Sequence, residues 1–275
     1  MPSRLGKTIF NLRPTGTRRK RAEPLMSDFN RGYARTIPAD RADMSVDAGL
    51  RSFMLGVYNK VALGLVVSAA LAFLTGQYPP VRDLMYAVTP DGRLAGMTML
   101  GTIVAFAPLA VMLFGMFALR NATPRSSGIL YWTIVALIGA GLGVWTLIYT
   151  GGSIATTFLI TATAFGGLSL FGYTTKKDLT GFGSFLLVGL IGLVIASIVN
   201  IFLQNSMMNF LISVLGVFIF AGLIAYDTQR LKMTYYELGG NQAAMGVATN
   251  YGALSLYINF INLFQFLLQL FGQRR

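Results

Sequence analysis

Asp227 is the residue best placed to do chemistry in this sequence. It closes an apolar run in Gly222-Leu223-Ile224-Ala225-Tyr226-Asp227-Thr228-Gln229-Arg230. A carboxylate there faces the negative end of a helix dipole and is partly desolvated, and both effects disfavour its charge and make it proton-sensitive. The plainer alternative is a solvated ion pair with Arg230, three residues on. A second group of polar residues lies downstream, at Tyr251, Ser255, Asn259, Asn262, Gln265 and Gln269. Their steps of four and three put them on one face of a helix, with Leu and Phe on the rest. Lipid does not tolerate a stripe of amides, so the face turns inward, either to a hydrated path or to interhelical hydrogen bonds. The chain has no Cys and no His. Disulfides, thiolate nucleophiles, Cys/His zinc sites and His-dependent triads are therefore excluded.

The elements that must position these residues are membrane helices. Of 275 residues, 54% are hydrophobic and only 12% charged, about half the charged fraction of a soluble domain. A span needs about twenty apolar residues, and this ruler gives seven, near 55–76, 99–118, 128–149, 153–173, 182–203, 207–227 and 249–271. Backbone amides inside a bilayer must bond within the chain, so these runs are helices and the fold class is all-α, a polytopic membrane protein. The net charge of +12 does not indicate nucleic acid, because residues 1–51 hold eleven Lys/Arg against five Asp/Glu and the remainder flanks the spans.

Two domains are expected: a basic, mostly disordered cytoplasmic tail over 1–51, and a seven-helix domain over 52–275. The first 22 residues carry Arg and Lys but no acid. They resemble an organellar presequence or a basic arm, or residues 1–25 are an extension upstream of a true start at Met26. Lys and Arg in the even loops (Arg120, Arg125, Lys176, Lys177, Arg230, Lys232) place those loops and the N-terminus in the cytoplasm. That orientation sends Arg274 and Arg275 outside, which leaves a re-entrant last segment open. Gly139 and Gly143, and the glycines of 181–192, suit close helix packing. Tyr131, Trp132 and Tyr149 suit interfacial anchors.

Three stretches together resemble the Bax-inhibitor (transmembrane Bax-inhibitor motif, lifeguard-like) family, in its bacterial form. They are Phe171-Gly172-Tyr173-Thr174-Thr175-Lys176-Lys177-Asp178-Leu179, Gly222 to Asp227, and Ala253-Leu254-Ser255-Leu256-Tyr257-Ile258-Asn259-Phe260-Ile261-Asn262-Leu263-Phe264. The similarity covers roughly residues 45–272. It implies six helices around a central seventh and, in conducting members, a pH-sensitive calcium leak. In those members two aspartates share a proton near a second-helix arginine. Asp227 matches the first aspartate, Arg120 the arginine, and Asn259 stands where the second aspartate would be.

An amide there removes the repulsion that splits a carboxylate pair, so Asp227 titrates as a single site with a shallower pH response. Asp227 and Asn259 together offer calcium one charge and a carbonyl oxygen, which implies weak binding and no other cofactor. On this reading Asp227, Asn259 and Arg120 form the gate, and Ser255, Asn262, Gln265 and Gln269 line the path. The leading expectation is a pH-modulated calcium leak in a bacterial inner membrane, with an organellar membrane as the alternative. The competing one is a non-conducting regulator that binds other machinery, as some bacterial family members associate with an ATP-dependent membrane protease. An aspartyl hydrolase is excluded because it needs a second intramembrane carboxylate, so no catalytic residue is expected.

Overall fold

The computed structural model describes residues 48–118 and 121–275, with side chains omitted at 116–118. The basic tail therefore lies outside the described residues, except that its last four positions form the first turn of α1 (Ala48–Gln77). Arg120 lies outside them as well.

All seven expected spans are helical. α1 is followed by α3 (Met99–Ala118), α4 (Pro124–Gly141) with α5 (Gly143–Ile148), α6 (Gly151–Thr174), α7 (Thr180–Leu203), α8 (Ser206–Glu237) and α9 (Gln242–Phe271). Six of these spans are long and apolar enough to cross a bilayer, counting α4 and α5 together, and α3 is a shorter apolar helix. The chain is thus an all-α polytopic membrane protein. The first loop adds what the hydropathy ruler could not resolve, a short α2 (Pro79–Met85) and an antiparallel ribbon of β1 (Tyr86–Val88) and β2 (Leu94–Met97). The expected third span is broken at Leu142, between Gly141 and Gly143.

Helix starts follow from capping chemistry. Thr123 and Ser126 form a reciprocal capping box ahead of Pro124, and Asn205 and Asn241 cap α8 and α9 by accepting from the amides of Met208 and Ala244. Gly239 and Gly240, with φ of +56° and +86°, turn the chain between α8 and α9 in a conformation that favours glycine.

α9 is the most enclosed span, packed against α1, α4, α6 and α8, while α3 rests mainly on α4 and α7 on α8. Its core contacts run through Tyr131, Ile134, Tyr257, Phe260 and Leu268. The outward faces are apolar too, with Phe106 and Phe114 on α3 and Phe185, Val188 and Ile191 on α7 exposed, as expected where lipid replaces water. Thirty residues of α9 cover about 45 Å. Beyond its end Thr150 donates to the Gln273 carbonyl and Arg275 to that of Ile148. The last helix therefore runs the full depth of the bundle, from the level of Pro124 to the level of Tyr149, and is not re-entrant.

Small residues set the closest approaches. A Cβ at Gly139 would stand 2.6 Å from the Ser68 Cα, one at Gly143 would meet Thr75 and Gly76, and one at Gly172 would lie 2.2 Å from the Ala225 carbonyl oxygen. The glycines of α7 divide: Gly183 lies under the Tyr226 ring and Gly189 near Ile219, whereas Gly181 and Gly192 face open space. Tyr131 and Tyr149 are not interfacial anchors. Both are buried: Tyr131 donates its hydroxyl to the Lys60 carbonyl, and Tyr149 is covered by the C-terminal residues, pairing with Arg274 in an isolated bridge and lying under its guanidinium.

Candidate functional site

Asp227 sits three turns before the end of α8, so its position is set by a helix that continues well past the apolar run to Glu237. The side chain is only 5% exposed and lies against α9. One carboxylate oxygen, Oδ2, accepts from the Ser255 hydroxyl and from Nδ2 of Asn259 at 2.8 Å. The other, Oδ1, is 3.7 Å from the half-exposed guanidinium of Arg230. At that distance and exposure the ion pair contributes little, whereas hydrogen bonds to a buried charge are the stronger kind. Asp227 therefore joins α8 to α9 chiefly through Ser255 and Asn259, one turn apart on the same face.

Gly172 makes this junction possible from the other side. Its missing side chain lets α6 approach the α8 backbone at Ala225, two residues before Asp227. Gln229 fastens the α6–α7 loop to the same part of α8, donating to the Lys177 carbonyl at 2.7 Å and accepting from the Leu179 amide at 2.8 Å. In that loop the Thr180 hydroxyl first, and its amide second, hold the Asp178 carboxyl below the usual range. Gln229→Leu should leave the Leu179 amide without its acceptor, and its hydrogen exchange is expected to rise about tenfold. An unchanged rate would show that the loop is held by other contacts.

The rest of the polar stripe does not form one continuous lining. Asn262 turns its amide back to the Ile258 carbonyl of its own helix, and Gln265 is half-buried. Gln269 meets Ser213 of α8 near the opposite end, at 3.1 Å. It borders a polar cavity of about 480 Å³ together with Asn200, Asn205 and Asn209. Between the two polar regions, Phe220, Leu223 and Ile224 of α8 close on Leu263 and Leu267 of α9, all buried. The arrangement is an acidic junction at one end, a polar vestibule at the other and a dry apolar seam between them. No group of three or more His, Cys, Asp or Glu gathers among the described residues. Asn259 presents its amide hydrogens to Asp227, so joint cation binding by the two requires the amide to rotate.

Sequence reasoning passes over Lys60, although it stands inside the first apolar run. Its ammonium donates to the side-chain oxygen of Asn250 and lies 5.8 Å from the Tyr131 ring centroid. The Asn250 amide nitrogen in turn reaches the Pro124 carbonyl at 2.9 Å and the Ser127 hydroxyl at 2.8 Å. This cluster ties α1, α4 and α9 together. The available signal was a lone Lys in a span, which default reasoning about intramembrane charge singles out. Asn250→Ala is expected to lower stability by about 1–3 kcal/mol, because it strips the acceptor from the partly buried Lys60 ammonium. Thermal unfolding in detergent would measure the loss.

Comparison with known proteins agrees with this architecture. The family model described as Inhibitor of apoptosis-promoting Bax1 matches residues 50–275. The chain belongs to the Bax-inhibitor family. A protein of Caulobacter vibrioides is 72% identical over 250 residues, which is 91% of this chain and the whole of that one. The inner membrane protein YbhL of Escherichia coli is 37% identical over 83% of this chain and 94% of its own. A membrane protein of Streptococcus pyogenes is 34% identical over 82% and 95%. The family match begins within α1 and takes in every span, so the Asp227 junction and the α9 stripe both fall inside it.

Proposed function

We propose that this member of the Bax-inhibitor family is an acid-released cation leak of a bacterial inner membrane, with Asp227 as a latch between α8 and α9 at the cytoplasmic end. The observation that carries the reading is the buried carboxylate held by Ser255 and Asn259. As an anion, Asp227 accepts from both donors at once. Protonation removes the charge that strengthens both bonds, leaving neutral hydrogen bonds of about half the strength, so the junction weakens as pH falls. Release would allow Leu223 and Ile224 to part from Leu263 and Leu267, wetting the apolar seam, which is how a hydrophobic constriction gates. Flux therefore rises on acidification.

Calcium enters as cargo and not as a resident cofactor. One carboxylate and an amide oxygen hold it weakly, and conduction needs sites that release what they bind. No residue is assigned a catalytic role. The inner-membrane location is carried over from the Escherichia coli relative's description, and the cytoplasmic placement of the Asp227 end from the basic loops.

Purified protein in calcium-free liposomes loaded with an indicator dye is expected to admit calcium faster at acidic than at alkaline external pH on the Asp227 side. Zero flux at every pH, together with copurification of an ATP-dependent membrane protease, would instead support a regulatory protein.

A further inference from the structure

α1 packs against α4, α5 and α9, and α6 packs against α8 and α9. Between α1 and α6 lies a cleft of about 1000 Å³ with Phe260 of α9 in its wall. Its sides are apolar, with Leu55, Ala62 and Leu65 on α1 facing Ala162 and Leu170 on α6. A second cleft of about 380 Å³ shares Leu65 and Phe260 with it and continues toward the Tyr149 end. The two make a groove along the bundle, parallel to the direction of an acyl chain in a bilayer.

The smaller cleft ends on Gln77, Thr146 and Arg275, whereas the larger is polar at its far end. Arg51 and Ser52 line its mouth, as does Tyr173, and the backbone oxygen of Tyr173 accepts from the Lys232 ammonium at 3.4 Å. Neither Arg51 nor Lys232 forms an ion pair with an acid among the described residues. One helical turn below Tyr173, Ser169 lines the cleft. Its side chain is buried, at 5% exposure, and its hydroxyl lies beside that of Tyr58 without completing a well-formed hydrogen bond. A buried hydroxyl without a well-formed bond is uncommon and calls for an acceptor.

We propose that this groove holds one anionic phospholipid, with its phosphate at Arg51 and Lys232, an ester carbonyl accepting from Ser169, and an acyl chain along Leu65 and Phe260. The order of charge, hydroxyl and apolar wall with depth matches the order of those groups in a phospholipid. The proposal is independent of whether the protein conducts.

The test is native mass spectrometry of the full chain in mild detergent, titrated with palmitoyl-oleoyl phosphatidylglycerol or the matching phosphatidylcholine. The wild type is expected to retain a single phosphatidylglycerol in preference to phosphatidylcholine. Arg51→Gln should cut that preference about fivefold, the worth of one basic residue at a membrane surface. Gly166→Trp should abolish the retained adduct, because Gly166 lines the cleft and a side chain there meets no protein atom within 4 Å. Should Gly166→Trp fail to fold, Arg51→Gln decides alone, since its side chain is exposed. Equal retention of the two lipids, adducts that accumulate without stopping at one, or a preference untouched by Arg51→Gln would overturn the proposal.

Discussion

Calcium influx into liposomes carrying Asp227→Ala is expected to be nearly the same at acidic and alkaline pH, the ratio falling to about one. The variant has no carboxylate to titrate between α8 and α9, so Ser255 and Asn259 experience no change of partner with pH. Asp227→Asn is the more discriminating variant. It keeps the shape but is neutral at every pH, like the protonated acid, and should hold flux at the wild type's acidic level throughout. Asn259→Asp should act in the opposite direction. It places a second carboxylate 2.8 Å from the first, measured at the present Asn259–Asp227 hydrogen bond. Two acids so close cannot both ionise cheaply and share a proton, which moves the acid response to higher pH. A wild-type pH profile in Asp227→Asn would remove the latch from the account, leaving a buried structural aspartate.

Gly172→Leu should destabilise the protein through a backbone contact that cannot relax. The Cβ would lie 2.2 Å from the Ala225 carbonyl oxygen, which is helix backbone and cannot rotate aside. α6 must then withdraw from α8, at a cost of about 1–3 kcal/mol by overpacking, read as a lower melting temperature in detergent. Gly192→Leu is the control. It too replaces a glycine within a helix, but its Cβ meets nothing within 4 Å, so its melting temperature should hold or rise with better helix propensity. Equal losses in the two would mean that the α6–α8 approach is not tightly packed. Because Ala225 is two residues from Asp227, Gly172→Leu should also disturb the pH response.

Much of this protein was determined by the sequence alone, because the bilayer restricts the choices. Seven apolar runs with no water to bond their amides must be helices, and all seven are. The period of Ser255, Asn259 and their neighbours marked one face of α9, and Asp227, ending an apolar run, pointed to the acid that meets it. Only Asn259 of that stripe is buried, however, while Leu256, Phe260, Leu263 and Leu268 on the other faces form the core. The tertiary structure decided which polar residues meet. Spacing puts Asn262, Gln265 and Gln269 in line with Asn259, yet Asn262 bonds its own helix and Gln269 a different level of α8. A stripe records which residues share a face and nothing about the partner opposite, which depends on the depth at which α8 crosses it. Tyr131 and Tyr149 failed as anchors for the same reason: an aromatic near a span end is interfacial only if no neighbouring element covers it. The cleft between α1 and α6 has no local signature, since both walls read as ordinary lipid-facing helix, and only the packing of each on α9 leaves the space between them.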